Sequence, residues 1–260
     1  MDKTALFIAA YGLAAATANF LGGFLVSSRR LGQVALRYLI ALGAGFMLAT
    51  VFIKLIPESM EQWPDGEKVY PMLWVLAGYM LIQFVEHTLA PHFHFGEETH
   101  EEAMLAHHAA IAGLGALLVH TFFDGVSIAV ASLVNAQLGV LVFVAILLHK
   151  LPEGFTVASM MLAAGRSQRA ARLAALAVGL ATFIGVALVL AFRNAAIASL
   201  PLSAHVLPLS AGVTLYVAAS DLIPEVNTRA GGVRTSLMVF AGVALLYVIE
   251  LMLETLHLGH

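Results

Sequence analysis

Two short stretches of this chain carry residue types that could bind a metal ion. His120 and Asp124 are four residues apart, and so are His149 and Glu153. On a helix such pairs lie on one face, one turn apart. Each stretch therefore presents an imidazole and a carboxylate along a single stripe. Two nitrogens and two carboxylates can form a four-coordinate site suited to zinc. Imidazole also suits iron, cobalt, nickel and manganese to differing degrees, and cadmium joins them as a candidate. Two carboxylates neutralise a dication and so lower the cost of burying it. With no cysteine in the chain, thiolate sites and disulfides are excluded.

These residues stand in an apolar sequence. Of 260 residues, 60% are hydrophobic and 11% are charged, and the mean hydropathy is +0.90. A soluble domain carries about 25% charged residues. The bilayer is the solvent that fits this composition. The net charge of −3 argues against a nucleic-acid partner, which normally requires a basic face. A spanning helix needs roughly 20 mostly apolar residues. Eight stretches qualify, at about 4–27, 35–58, 70–90, 108–132, 138–163, 170–193, 203–225 and 236–256. The first is not read as a secretory signal, because Arg29 and Arg30 follow its apolar run where a signal places its charge before. The expectation is an all-α integral membrane protein, a single transmembrane domain over residues 1–260. A His/Glu-rich loop at 91–107 separates spans 3 and 4.

Depth sharpens the constellation. His120 and His149 each lie roughly ten residues into their spans, about 15 Å into a hydrocarbon core of about 30 Å. The two spans are antiparallel, so the histidines meet near the midplane, with Asp124 to the outer side and Glu153 to the inner. Ionisable groups at that depth are costly and mark function. Gly125 and Gly154 follow the carboxylates and permit close helix approach. Pro152 cannot donate to the carbonyl of Leu148, which predicts a kink in span 5. A broken helix lining a cavity would expose further oxygen ligands. Thr121, Ser127 and Thr156 are placed to hold waters along a path.

Basic residues set the orientation, since they accumulate on the cytoplasmic side. Arg29, Arg30 and Arg37, then Arg166, Arg169 and Arg172, then Arg229 and Arg234 flank loops 1, 5 and 7. The opposite side holds Lys3, Lys68 and Arg193. Both termini are therefore expected outside a cell membrane, inner or plasma, that the chain crosses several times. Two internal repeats accompany this. Gly45-Phe46-Met47-Leu48, ending in Leu55-Ile56-Pro57-Glu58, matches Gly212-Val213-Thr214-Leu215, ending in Leu222-Ile223-Pro224-Glu225. His120-x-x-x-Asp124-Gly125-x-Ser127 matches His149-x-x-x-Glu153-Gly154-x-Thr156. Each match joins antiparallel spans, and inverted repeats with a site at their interface characterise transporters.

The segment His149-Lys150-Leu151-Pro152-Glu153-Gly154 resembles the fifth-helix H-x-x-P-E-G signature of the ZIP (Zrt-/Irt-like protein) divalent metal transporters, of the prokaryotic type. His120-Thr121-Phe122-Phe123-Asp124-Gly125 resembles its fourth-helix partner, H-x-x-x-[DE]-G. The resemblance implies a 3+2+3 arrangement of helices, transport into the cytoplasm, a homodimer, and no enzymatic activity. It also makes His120, Asp124, His149 and Glu153 the transport-site ligands. Members with two adjacent metals carry Asn after the span-4 His and Asp after the span-5 His. Here those positions are Thr121 and Lys150. An ammonium is a poor ligand and repels a second cation, so one metal is expected, with Lys150 and Thr121 standing in for a second site.

Further polar groups lie toward span ends. Glu86 and His87 end span 3, and Asp221 and Glu225 end span 7; these four are candidate pathway residues on the inner side. His205 is read as an interfacial residue, and Lys54 as paired with Glu58 or snorkelling outward. The loop holds His92, His94, His100, His107 and His108 with Glu97, Glu98, Glu101 and Glu102. Such a tract binds metal loosely and has no fixed tetrahedral spacing. Three other readings fit parts of this pattern. A metal exporter of the cation-diffusion type usually has six spans and a soluble C-terminal domain. A membrane-embedded metal-dependent hydrolase lacks its H-E-x-x-H motif here. A proton pathway would use the same His and carboxylates without metal.

Overall fold

Eight apolar helices follow one another in the computed structural model, which describes residues 3–28, 33–89, 107–226 and 232–255. Loop residues 91–106 and the side chains of His107, His108 and Glu225 lie outside the described residues. The helices are α1 (Lys3–Ser28), α2 (starting Gln33–Thr50), α3 (Val69–Leu89), α4 (His107–Val134), α5 (Ala136–Ala163), α6 (Gln168–Phe192), α7 (starting Leu202–Tyr216) and α8 (Gly232–Thr255). Each is long and apolar enough to cross a membrane. Phe7, Phe84, Leu237, Phe240 and Leu251 point outward and are exposed, as suits contact with lipid. A two-stranded hairpin, β1 (Ala196–Ile197) and β2 (Leu200–Pro201), joins α6 to α7. Asn135 makes the tight turn between α4 and α5, its side chain accepting from the Leu138 N–H at 2.6 Å.

The repeat in spans 2 and 7 reappears as backbone geometry. α2 widens into a π-helical turn at Val51–Leu55 and continues over Ile56–Glu61; α7 does the same at Val217–Leu222 and continues over Ile223–Val226. The Ile56 N–H donates to the Val51 carbonyl, and the Ile223 N–H donates to the Ala218 carbonyl. Both turns directly precede a proline two residues on, Pro57 or Pro224. Proline lacks an N–H, and its ring crowds the carbonyl one turn back. A π-type turn relieves that crowding. Pro152 lies inside α5, which stays helical from Ala136 to Ala163, so the helix is not interrupted there; α1, α2, α4 and α6 pack around it. The departures from α geometry sit in α2 and α7 instead.

Packing falls into two sets. α1, α4, α5 and α6 lie against one another, while α2 pairs with α8 and α3 with α7. Glycines make the closest approaches. A Cβ at Gly154 would stand 1.9 Å from the Asn19 carbonyl oxygen, and one at Gly125 1.9 Å from that of Thr182. Gly45 meets Val239 and Gly212 meets Val75 equally closely. The matched motifs thus seat their spans on matched neighbours: α5 on α1 as α4 on α6, and α2 on α8 as α7 on α3.

Candidate functional site

α4 and α5 bring His120, Asp124, His149 and Glu153 together. All four are buried, and one ligand atom from each lies within 4.8 Å of the others. Asp124 Oδ2 is 3.3 Å from His120 Nε2 and 3.5 Å from His149 Nε2. The two imidazole rings are 6.0 Å apart and nearly perpendicular. His149 Nδ1 is 3.1 Å from the Ala145 carbonyl oxygen. A proton there donates to that carbonyl and leaves the Nε2 lone pair facing the site, the arrangement of a metal-binding histidine. Among the described residues, His149 Nε2, Asp124 Oδ1 and Glu153 Oε1 are buried without a hydrogen-bond partner. Buried polar atoms are normally satisfied, so three unpartnered donor atoms on one cluster fit a cation that accepts their lone pairs.

Lys150 turns into the same cluster. It is completely buried, with Nζ 2.5 Å from Asp124 Oδ2 and 2.7 Å from Glu153 Oε2. Its ammonium bridges the two carboxylates across the α4/α5 seam. A cavity of about 110 Å³ opens on the cluster, lined by His120, His149, Pro152, Glu153, Thr156 and Asp221 among others.

His120 also belongs to a second group. Glu86 from α3 and Asp221 from the π-helical turn of α7 bring carboxylate oxygens to within 4.8 Å of it and of each other. Asp221 Oδ2 has no hydrogen-bond partner among the described residues, and Tyr216 hydrogen-bonds Glu86. Tyr79 packs edge-on against Tyr216 and shares a 2.9 Å hydrogen bond with Ser220. His87, beside Glu86, is exposed and bonds its own helix at the Gln83 carbonyl. The hydroxyls of Thr121, Ser127 and Thr156 donate to the carbonyls of Leu117, Phe123 and Pro152. Of these three, Thr156 lines the cavity.

Several placements differ from the sequence reading. Lys54 forms its ion pair with Glu250 of α8, not with Glu58. α8 lies alongside α2 and brings Glu250 to the ammonium. His205, near the start of α7, is buried, its ring in edge-to-face contact with those of Trp63 and Trp74. Asn19 and Thr182 are fully buried, with unpartnered side-chain atoms among the described residues. The signal for them was a further repeat, Asn19-Phe20-Leu21-Gly22 against Thr182-Phe183-Ile184-Gly185.

Comparison with known proteins agrees with this architecture. The family profile described as ZIP Zinc transporter matches residues 4–113 and 97–250. The Xenopus laevis protein named Zinc transporter ZIP9-A is 24% identical over 262 residues, covering 85% of each chain. Human Zinc transporter ZIP13 is 25% identical over 238 residues, covering 75% of this chain and 64% of its own. The Caenorhabditis elegans Zinc transporter zipt-7.2 is 28% identical over 146 residues, 55% of this chain and 32% of the nematode protein.

Proposed function

Because the chain belongs to the ZIP zinc transporter family, we propose that it carries divalent metal ions across a cell membrane into the cytoplasm, zinc first among them. Cadmium, iron, manganese, cobalt and nickel are the further candidates. The observation that carries this reading is the buried set His120, Asp124, His149 and Glu153, with three unpartnered ligand atoms on two apolar helices. Nothing in the reading requires catalysis, and the family consists of transporters rather than enzymes.

The residues suggest a sequence of events. Without metal, Lys150 compensates Asp124 and Glu153. A metal ion entering from the outer side is bound by the two imidazoles and draws the carboxylates from the ammonium. Glu86 and Asp221 form the next set, and His120 is common to both. The ion can therefore change ligands stepwise, with one imidazole held throughout, so no bare dication faces the apolar interior. Thr156 lies along the same cavity and serves as a polar wall. Both termini outside, a homodimer, and a His-rich loop that binds metal loosely on the cytoplasmic side complete the proposal.

Uptake into proteoliposomes with a panel of divalent metals, at several pH values and membrane potentials, tests it. Alanine at any of the four ligands is expected to lower uptake at least about tenfold, about 1.4 kcal/mol of lost binding. Normal uptake by a folded His120→Ala, His149→Ala protein would end the assignment.

A further inference from the structure

Lys54 and Asp221 occupy the same place in the internal repeat. Each stands three residues before its proline, within the π-helical turn of its span. Glu250 and Glu86 are mates as well. Each lies eight residues beyond a glycine, Gly242 or Gly78, that seats its helix against the neighbouring span's backbone. The Glu86–Asp221 pair between α3 and α7 therefore has a counterpart in Glu250–Lys54 between α8 and α2.

The two pairs differ in charge. Asp221 and Glu86 are 2% and 6% exposed; they are two acids beside the His120 imidazole, neutral only when protonated or compensated by a cation. Lys54 and Glu250 form a direct ion pair, with side chains 26% and 17% exposed, and are neutral without help. The surroundings diverge in the same sense. Tyr79, Tyr216 and Ser220, which dress the carboxylate pair, correspond by repeat position to Val243, Ala49 and Ile53. A lone carboxylate in that apolar setting would be costly, and the Lys54 ammonium removes the cost.

We propose that Lys54 is a built-in cation, its ammonium filling the symmetry mate of the position a metal ion takes between Glu86 and Asp221. The α2/α8 end of the repeat is then a closed cation subsite, and metal is exchanged at the α3/α7 end. This rests on the reading of Glu86 and Asp221 as metal ligands. A near-symmetric scaffold thereby acquires one open end, because a tethered ammonium cannot leave.

Taking the ammonium away should open the subsite. Lys54→Asp recreates, with Glu250, the two-carboxylate arrangement of the other end. Carboxylate oxygens suit manganese, so Mn2+ is the probe, counted on the purified full chain by equilibrium dialysis and by the loss of its free-ion paramagnetic resonance signal. The expected result is one more Mn2+ per chain than wild type, lost again in Lys54→Asp, Glu250→Gln. Lys54→His, which also removes the fixed charge and supplies a neutral ligand, is read in the same way should the aspartate variant fold poorly. An unchanged count in the folded variants overturns the proposal. Asp221→Lys separates this from the underlying reading: it should pair with Glu86 and lower wild-type binding at that end. Unchanged binding in Asp221→Lys would sink the metal assignment of Glu86 and Asp221 and the symmetry argument with it, and a gain in Lys54→Asp would then show only that the α2/α8 end accepts a cation once the ammonium is gone.

Discussion

Replacing Lys150 with methionine should tighten metal binding and slow release. In the structure its ammonium makes two charge-assisted hydrogen bonds, to Asp124 and to Glu153. Each such bond is worth about 1.5–3 kcal/mol. An incoming metal must displace both, a cost of about 3–6 kcal/mol set against its own binding. With about 1.4 kcal/mol per tenfold, removing this competitor raises apparent affinity by about 10²- to 10⁴-fold. Dissociation slows in proportion where the on-rate is unchanged, and turnover falls. Removing one partner of a buried ion pair costs about 3–5 kcal/mol. The metal-free variant should therefore melt lower than wild type and recover on metal addition. Lys150→Asp removes the ammonium and adds an oxygen ligand, so it is expected to admit a second ion. The assays are chelator competition for affinity, time-resolved uptake for release, and thermal midpoints with and without zinc. Unchanged affinity and turnover in both variants, or two ions at the α4/α5 site in wild type, would refute the reasoning.

A cysteine at Gln62 should react with an impermeant reagent outside intact cells, and one at Gln168 should not; the opposite labelling would invert the orientation drawn from the arginine bias. Deleting His92 to Glu102 should alter apparent affinity or regulation while transport continues, since solvated loop ligands are not fixed at membrane depth; complete loss in a folded deletion would show the loop to be essential. Gly154→Ala places a Cβ 1.9 Å from the Asn19 carbonyl oxygen and forces α1 from α5. The cost is about 1–3 kcal/mol, read as a lower thermal midpoint. Gly115→Ala, where a Cβ meets nothing within 4 Å, is the control, and equal effects of the two would contradict the packing account.

The spans were legible because a lipid-crossing helix must be apolar over about 20 residues, and each of the eight announces itself within its own stretch of chain. The α4 and α5 ligands were legible for a related reason: four-residue spacing fixes one helix face whatever surrounds it. That the two stripes meet followed from antiparallel spans and matched depth. The repeat of Leu-Ile-Pro-Glu was visible too, although the place where the backbone yields was not. Pro57, Pro152 and Pro224 look alike in sequence, yet α5 stays helical through Pro152 while α2 and α7 widen before their prolines.

What the tertiary structure decided is which faces meet. Glu86 and Asp221 are far apart in sequence from His120, and their convergence depends on α3 and α7 packing together through Gly78 and Gly212. Lys54 had a local acid within one turn, yet it reaches Glu250 across the α2/α8 contact. Lys150 could have faced lipid or site from its spacing alone; its complete burial between two carboxylates comes from the α4/α5 seam. Sequence spacing determines the direction of a side chain relative to its own helix. Its partner is determined by the rotation and register of the helix beside it, which close glycine contacts and the summed packing of the bundle set.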